Sequence, residues 1–333
     1  MHTLDVKDIS LNALPIGVFD SGLGGLTVAR AVAQALPHES VYYVGDTKRC
    51  PYGTRSEDQV RAFAIQAGRW LEAHAVKIMV IACNTATAAA LPLAQQLFSV
   101  PVIGVIAPGA RAAIHSTRTR KVGVLATELT VRSGAYTRAI HALDAGVDAY
   151  GCPASSFVNI VERELATGAH LQEQWLENGD IFDTPETRAE VARTIKPLED
   201  AAIDTVVLGC THFPLLAGPI RNALGPGVRV VSSAEETTYE LADILRRRDQ
   251  QRTMWFQSIA SPPRLTTSRS SPPRAASSLA SPFAASSIFR WKSSRACRLP
   301  RAPPGGPARR VRKNRPTVPC ERAHRVASII NHV

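Results

Sequence analysis

From Ile16 to Arg247 short, continuously apolar runs alternate with segments whose apolar residues recur at helical spacing. This alternation restricts the chain more than any other feature. Strands that are apolar on both faces need cover on both faces, and intervening helices supply it, so the pattern predicts parallel sheets in an α/β fold. A first series of strands is read at Ile16–Phe19, Val41–Val44, Lys77–Ala82 and Val102–Val105. A second follows at Val122–Ala126, Val147–Tyr150, Thr205–Leu208 and Val228–Val231. Helices are read over Leu26–Leu36, Glu57–His74, the Ala-rich stretch after Cys83, Leu129–Leu143, Ser155–Leu165, Glu186–Ala202 and Ala234–Arg247. Each series opens on a Gly/Val strand and contains a buried strand that ends on a cysteine, Cys83 or Cys210. Two similar α/β units are expected.

Charge divides the chain differently. Residues 246–333 carry 19 Lys/Arg and 2 Asp/Glu, a net of +17, while the first 245 residues carry 20 and 26, a net of −6. The formal +11 of the 333-residue chain therefore belongs to its last quarter. Eleven of the 23 prolines also lie past Arg246, in runs such as Ser270-Ser-Pro-Pro-Arg274, which cannot form helix or internal strand. This tail reads as disordered. Nineteen basic residues would attract phosphate backbones in a salt-dependent way, but aromatics are sparse and no binding fold is recognisable, so a solvated tail without nucleic acid is the expectation. The longest strongly apolar run, Ile78–Cys83, is too short for a membrane span, and residues 1–10 lack a secretion signal. The six cysteines, at 50, 83, 152, 210, 297 and 320, form no CxxC pair and read as free thiols of a cytoplasmic protein.

In parallel α/β sheets functional groups gather at the carboxyl ends of strands. Asp20 and Ser21 end the first strand, Cys83, Asn84 and Thr85 the third, and Cys210, Thr211 and His212 the seventh; Cys152 also falls near a strand end. A thiol just before a helix N-terminus meets oriented amides that favour its thiolate, lowering its pKa from about 8.5. Equally, an isolated Cys is usually a small buried hydrophobe, His212 could be a helix-start histidine, and Asp20 could be a helix cap. The repetition of Cys followed by polar residues in both units favours chemistry. Gly22-Leu-Gly24-Gly25 matches neither common nucleotide fingerprint, and Pro51-Tyr52-Gly53 reads as a turn. No lysine sits in a pyridoxal phosphate setting and no residue cluster has metal spacing, so neither cofactor nor metal is expected.

Five segments, in order, resemble the glutamate racemase family: Phe19-Asp-Ser-Gly-Leu-Gly-Gly-Leu-Thr27, Gly45-Asp-Thr47 with Pro51-Tyr-Gly53, Ala82-Cys-Asn-Thr-Ala86, Cys152-Pro153 with Val161-Glu162, and Gly209-Cys-Thr-His-Phe-Pro214. The resemblance covers about residues 15–245. It implies a two-domain fold with pseudo-twofold symmetry and an active site in the cleft between the domains. The first domain would be 15–106 plus 218–245, the second 107–217, and 246–333 the tail. It further implies cofactor-independent racemisation of glutamate, supplying D-glutamate for peptidoglycan. Cys83 and Cys210 would be the catalytic acid/base pair, with Cys83 serving D-glutamate and Cys210 L-glutamate. Asp20, Glu162 and His212 would assist the thiols. Asp20, Ser21, Tyr52, Gly53, Asn84, Thr85, Thr211 and His212 would bind substrate. Aspartate racemases are similar around the two cysteines, and Asp20-Ser21 with Pro51-Tyr52-Gly53 tilts the match to glutamate. The family pairs in various ways, and a homodimer is compatible with it. Its members continue past the last helix with elements that complete the first domain; here the abrupt change near Arg246 is what a shifted reading frame would produce.

The chemistry supports the same pair. Inverting an α-carbon needs a base on one face and an acid on the other, and two thiols, one ionised and one not, supply both if each titrates near working pH.

Overall fold

The computed structural model describes residues 11–166, 179–252, 287–291 and 328–330. In chain order the elements are β1 (Ile16–Asp20), α1 (Leu26–Ala35), β2 (Val41–Gly45), α2 (Glu57–Ala73), β3 (Ile78–Ile81), α3 (Asn84–Leu97), β4 (Val102–Gly104) and α4 (Ile106–Ser116). A second run comprises β5 (Lys121–Ala126), α5 (Glu128–Arg132), α6 (Ala135–Leu143), β6 (Asp148–Pro153), α7 (Ser155–Ala166), α8 (Pro185–Asp200), β7 (Thr205–Gly209), α9 (Ala217–Leu224) and β8 (Arg229–Ser232). Then come α10 (Ser233–Arg247), β9 (Ser287–Trp291) and β10 (Ser328–Ile330).

The eight apolar runs all become strands, divided between two sheets. In the first the parallel order is β2-β1-β3-β4, and in the second it is β6-β5-β7-β8. Both orders place the opening strand of the series inside, between the second and the third. The chain leaves that strand to one side and returns to its other side, so each sheet has a switch point where a crevice opens at the carboxyl ends. Asp20 and Cys83 stand at the switch point of the first sheet, and Ala126 and Cys210 at that of the second.

Apolar cover is as the runs require. One face of the first sheet packs against α1 and α10, through Val28, Val32, Leu241 and Leu245, and the other against α2 and α3. In the second sheet α4 and α6 cover one face and α7, α8 and α9 the other.

The structure differs from the sequence reading in four places. β8 pairs in parallel with β7, so residues 218–232 belong to the second sheet and not to the first domain. The chain crosses back at Ser232, whose hydroxyl caps α10. The helix read over Leu129–Leu143 is two helices, because Gly134 adopts φ +64 between them. Helices α4 and α9 were hidden by Pro108-Gly109 and Gly218-Pro219, which the first turn of a helix tolerates.

The fourth concerns the tail. Its first residues are ordered parts of the first unit: α10 runs to Arg247, Gln250 is buried, and Arg252 bonds to Glu39, Ser40 and Ala13. Farther on, β9 adds antiparallel to the open edge of β2, and β10 adds to β9. An edge strand presents unpaired N–H and C=O groups, which any extended segment can satisfy. The rest of the expected disordered tail lies outside the described residues. No described helix is long and apolar enough to cross a membrane.

Candidate active site

A small, partly enclosed cavity opens where the carboxyl ends of the two sheets meet. The first unit contributes Ser21, Pro51, Tyr52, Gly53, Cys83, Asn84 and Thr85 to its walls. The second contributes Thr127, Val158, Cys210, Thr211 and His212. Both thiols therefore reach the same space, each from its own sheet. Nearly every residue expected to touch a substrate lines it; Asp20 and Glu162 stand one layer back, and Cys152 is elsewhere, in the second unit's core with its thiol on the Thr194 carbonyl at 3.2 Å. The loop after β1 is glycine-rich because the two units come close there. A Cβ at Gly24 would lie 2.7 Å from the His212 ring and the Thr211 hydroxyl.

Cys83 is the N-cap of α3, as expected, and its sulfur accepts the Ala86 N–H at 3.4 Å. It also donates to Ser21 Oγ at 3.6 Å. The expected fall in its pKa does not follow. Burial pushes the thiol up to about 12, and the nearby Asp20 carboxylate adds to the rise; the Ala86 and Ser21 contacts oppose it and lose. One amide at the head of a helix does not offset complete removal from water. Burial and the Asp20 charge thus favour the protonated thiol.

Cys210, unlike Cys83, is not at an α-helix N-terminus. A single turn of 3₁₀ helix, Phe213–Leu216, follows it before α9 begins. Its neighbour is His212, whose Nδ1 lies 3.6 Å from the sulfur and whose Nε2 lies 2.5 Å from Glu162 Oε1. Burial alone would make this imidazole less basic, but its bonds to Cys210 and Glu162, and their charges, hold it well above its ordinary value. Glu162 is the reciprocal case. Burial would raise its pKa, yet the His212 bond and charge, the Cys50 thiol at 3.6 Å and the Leu23 N–H keep it below the usual range. The result is a chain from the Cys210 sulfur through the His212 imidazole to the Glu162 carboxylate, with positive charge favoured on a side chain and not supplied by a helix dipole.

Asp20 organises the first loop, accepting N–H bonds from Gly22 at 3.2 Å and Gly25 at 2.9 Å. The Thr211 hydroxyl also donates to it, at 3.3 Å across the cleft. Its structural role is thus real. Burial raises its pKa, against the pull of His212 and the two amides.

Three further features were not legible beforehand. Thr127 lines the cavity, and its hydroxyl shares a triad with Thr85 at 2.9 Å and Thr130 at 2.9 Å. It directly follows the last residue of β5, close to where Asp20 stands on β1, so the twofold pattern was the available signal. Tyr52 reaches the cavity with its ring while its hydroxyl is committed to Asp46 at 2.6 Å. Asn84 receives the Tyr136 hydroxyl on Oδ1 at 2.7 Å, and its buried Nδ2 has no protein partner. Among the described residues the walls contain no Lys or Arg, so a ligand's carboxylates would be held there by amides, hydroxyls and His212. Among the described residues no group of three or more His, Cys, Asp or Glu could hold a metal ion.

Residues 26–241 match the family model for Asp/Glu/Hydantoin racemase. The glutamate racemase of Exiguobacterium sibiricum is 45% identical over 232 residues, 69% of this chain and 79% of that one. The glutamate racemase of Corynebacterium diphtheriae is 44% identical over 260 residues, 76% of this chain and 91% of that one. Among solved structures, a glutamate racemase isoform from Bacillus anthracis superposes with TM-score 0.65 at 41% identity, covering 72% of this chain and 85% of that one. The Francisella tularensis glutamate racemase, solved in complex with D-glutamate, gives TM-score 0.64 at 30% identity, covering 73% and 85%.

Proposed function

Since this chain belongs to the Asp/Glu/hydantoin racemase family, we propose that it interconverts L- and D-glutamate by proton transfer between Cys83 and Cys210, supplying D-glutamate for peptidoglycan. The observation that carries this reading is that two thiols, one from each sheet, line a single small cavity whose other walls are mostly hydrogen-bond donors.

From L-glutamate, the Cys210 thiolate takes the α-proton, and the electron pair of the C–H bond stays on carbon. The Cys83 thiol then gives its proton to the opposite face. The product is D-glutamate, with Cys210 a thiol and Cys83 a thiolate, the starting arrangement for the reverse reaction. The two environments suit this division. His212 offers a cation beside Cys210, and burial with Asp20 keeps Cys83 protonated until a proton acceptor arrives. Carbanionic charge must be stabilised without a cofactor sink. A cavity lined by the buried Ser21, Thr85, Thr127 and Thr211 hydroxyls and the Asn84 amide meets that need.

The direct test is loss of α-deuterium to solvent from both glutamate enantiomers, with aspartate in parallel, using the purified full-length protein. Washout from L- and D-glutamate with inversion supports the reading. Inversion of aspartate in preference to glutamate overturns the substrate, and washout without inversion overturns the two-thiol path.

The His212–Glu162 pair sets a pH dependence. A base whose pKa is raised in the fold keeps its proton up to that raised value and loses it as pH climbs past. Glu162→Gln removes the charge that does part of the raising. The alkaline limb of kcat/KM should then move to lower pH, by about one unit, with kcat reduced about tenfold. An unmoved limb would mean that Glu162 does not act through His212.

A further inference from the structure

We infer that Tyr136 is a positioning residue that aims the Asn84 amide into the cavity with its NH₂ group foremost, so that Asn84 can donate to a carboxylate of the substrate. The inference rests on the glutamate-binding reading above and adds a residue to it.

Tyr136 comes from α6 of the second unit, is 2% exposed, and reaches across the cleft to a residue of the first unit. Its hydroxyl lies 2.7 Å from Asn84 Oδ1. The two ends of a primary amide are nearly equal in shape, and only hydrogen-bond partners decide which way it faces. The phenol's own proton needs an acceptor, and Asn84 Oδ1, at 2.7 Å, is the one it meets. A buried O–H left without one is costly. The amide oxygen is thereby turned toward Tyr136, and Nδ2 faces away from it, buried and without a protein partner. A buried N–H₂ with no partner beside an open cavity is a donor reserved for whatever enters.

The surroundings keep the phenol in place. A Cβ at Gly109 would lie 2.9 Å from the Tyr136 oxygen, and one at Gly209 would lie 3.0 Å from its ring. The residue after Gly209 is Cys210, so the same ring packs directly behind a catalytic thiol. Three segments of the fold, α4, α6 and the end of β7, therefore converge on the orientation of one amide in the opposite unit.

Steady-state kinetics with glutamate on the full-length protein test this. Tyr136→Phe keeps the ring and removes the hydroxyl. KM should rise about tenfold, the size of a lost hydrogen bond to a charged group, with kcat within about twofold. The decisive measurement is the double-mutant cycle. Asn84→Ala alone should raise KM, and adding Tyr136→Phe to it should change KM no further. Gly109→Ala, whose Cβ would lie 2.9 Å from the phenol oxygen and displace it, should raise KM about threefold, again only while Asn84 is present. A fully additive Tyr136→Phe effect in the Asn84→Ala background overturns the positioning role, as does an unchanged KM in folded Tyr136→Phe. If Tyr136→Phe fails to fold, the Gly109→Ala pair decides by the same criteria. If Asn84→Ala itself leaves KM unchanged, the substrate-binding reading fails instead, which separates the two failures.

Discussion

Cys83→Ala and Cys210→Ala should each lower racemisation about a thousandfold or more, because in the proposed mechanism each removes the thiol that serves one face of the α-carbon. L- and D-glutamate have equal free energies, so kcat/KM must fall equally in both directions. Isotope exchange reveals which face has been lost. Cys83→Ala keeps the Cys210–His212–Glu162 chain and should still exchange the α-proton of L-glutamate with deuterated solvent, returning L-glutamate. Cys210→Ala should do the same for D-glutamate alone. Each thiol is buried in a small site, and Ala removes only one atom's volume of packing, so both variants should fold normally by circular dichroism. Full racemisation by either variant defeats the mechanism. Exchange of the same enantiomer by both would mean that the thiols attack from one side.

The contrast between the two thiol environments also explains what the sequence could and could not disclose. Strand ends, and with them Cys83 and Cys210, follow from local pattern: an apolar run stops where a polar residue would otherwise be buried. The pairing of the two units follows from the repeated order of strands. The protonation of Cys83 does not follow, because it depends on burial and on Asp20, a residue 63 positions away in sequence. Nor does the role of His212, which reads as a helix-start residue until Glu162, 50 residues earlier, is seen to hold its other nitrogen. Tyr136 is a further case. It sits in an amphipathic helix, where an aromatic residue at an apolar position reads as core, and only the fold shows its hydroxyl bonded across the cleft. The misassigned β8 has the same origin. Val228–Val231 is legible as a strand, but nothing local says which of two similar sheets will accept it.

The largest stability effect is expected at the far end of the first sheet from the cavity. The Lys77 ammonium is fully buried, 2.6 Å from Glu39 Oε2, and it donates to the carbonyls of Asn12 at 3.1 Å and Gln250 at 2.7 Å. Burial lowers its pKa, with Glu39 working against that fall. Glu39 Oε1 in turn accepts the Arg252 N–H at 2.8 Å. Four chain segments meet here: those leading into β1, β2 and β3, and residues 250–252 beyond α10. Lys77→Met would leave the Glu39 carboxylate buried without its ammonium and two carbonyls without their donor. The expected loss is about 3–5 kcal/mol, read from urea unfolding of the full-length protein. Adding Glu39→Leu should recover most of it, since removing both charges removes the desolvation cost with the attraction. A loss below about 1 kcal/mol for Lys77→Met would show that the pair is not buried in solution. The clamp lies at the amino ends of the strands, so kcat per folded molecule should be unchanged. That separation matters for residues 246–252. They carry the basic composition of the tail, yet through Gln250 and Arg252 they close the base of the first unit. The first unit's packed structure therefore runs through Arg252, past the point where the charge first changes.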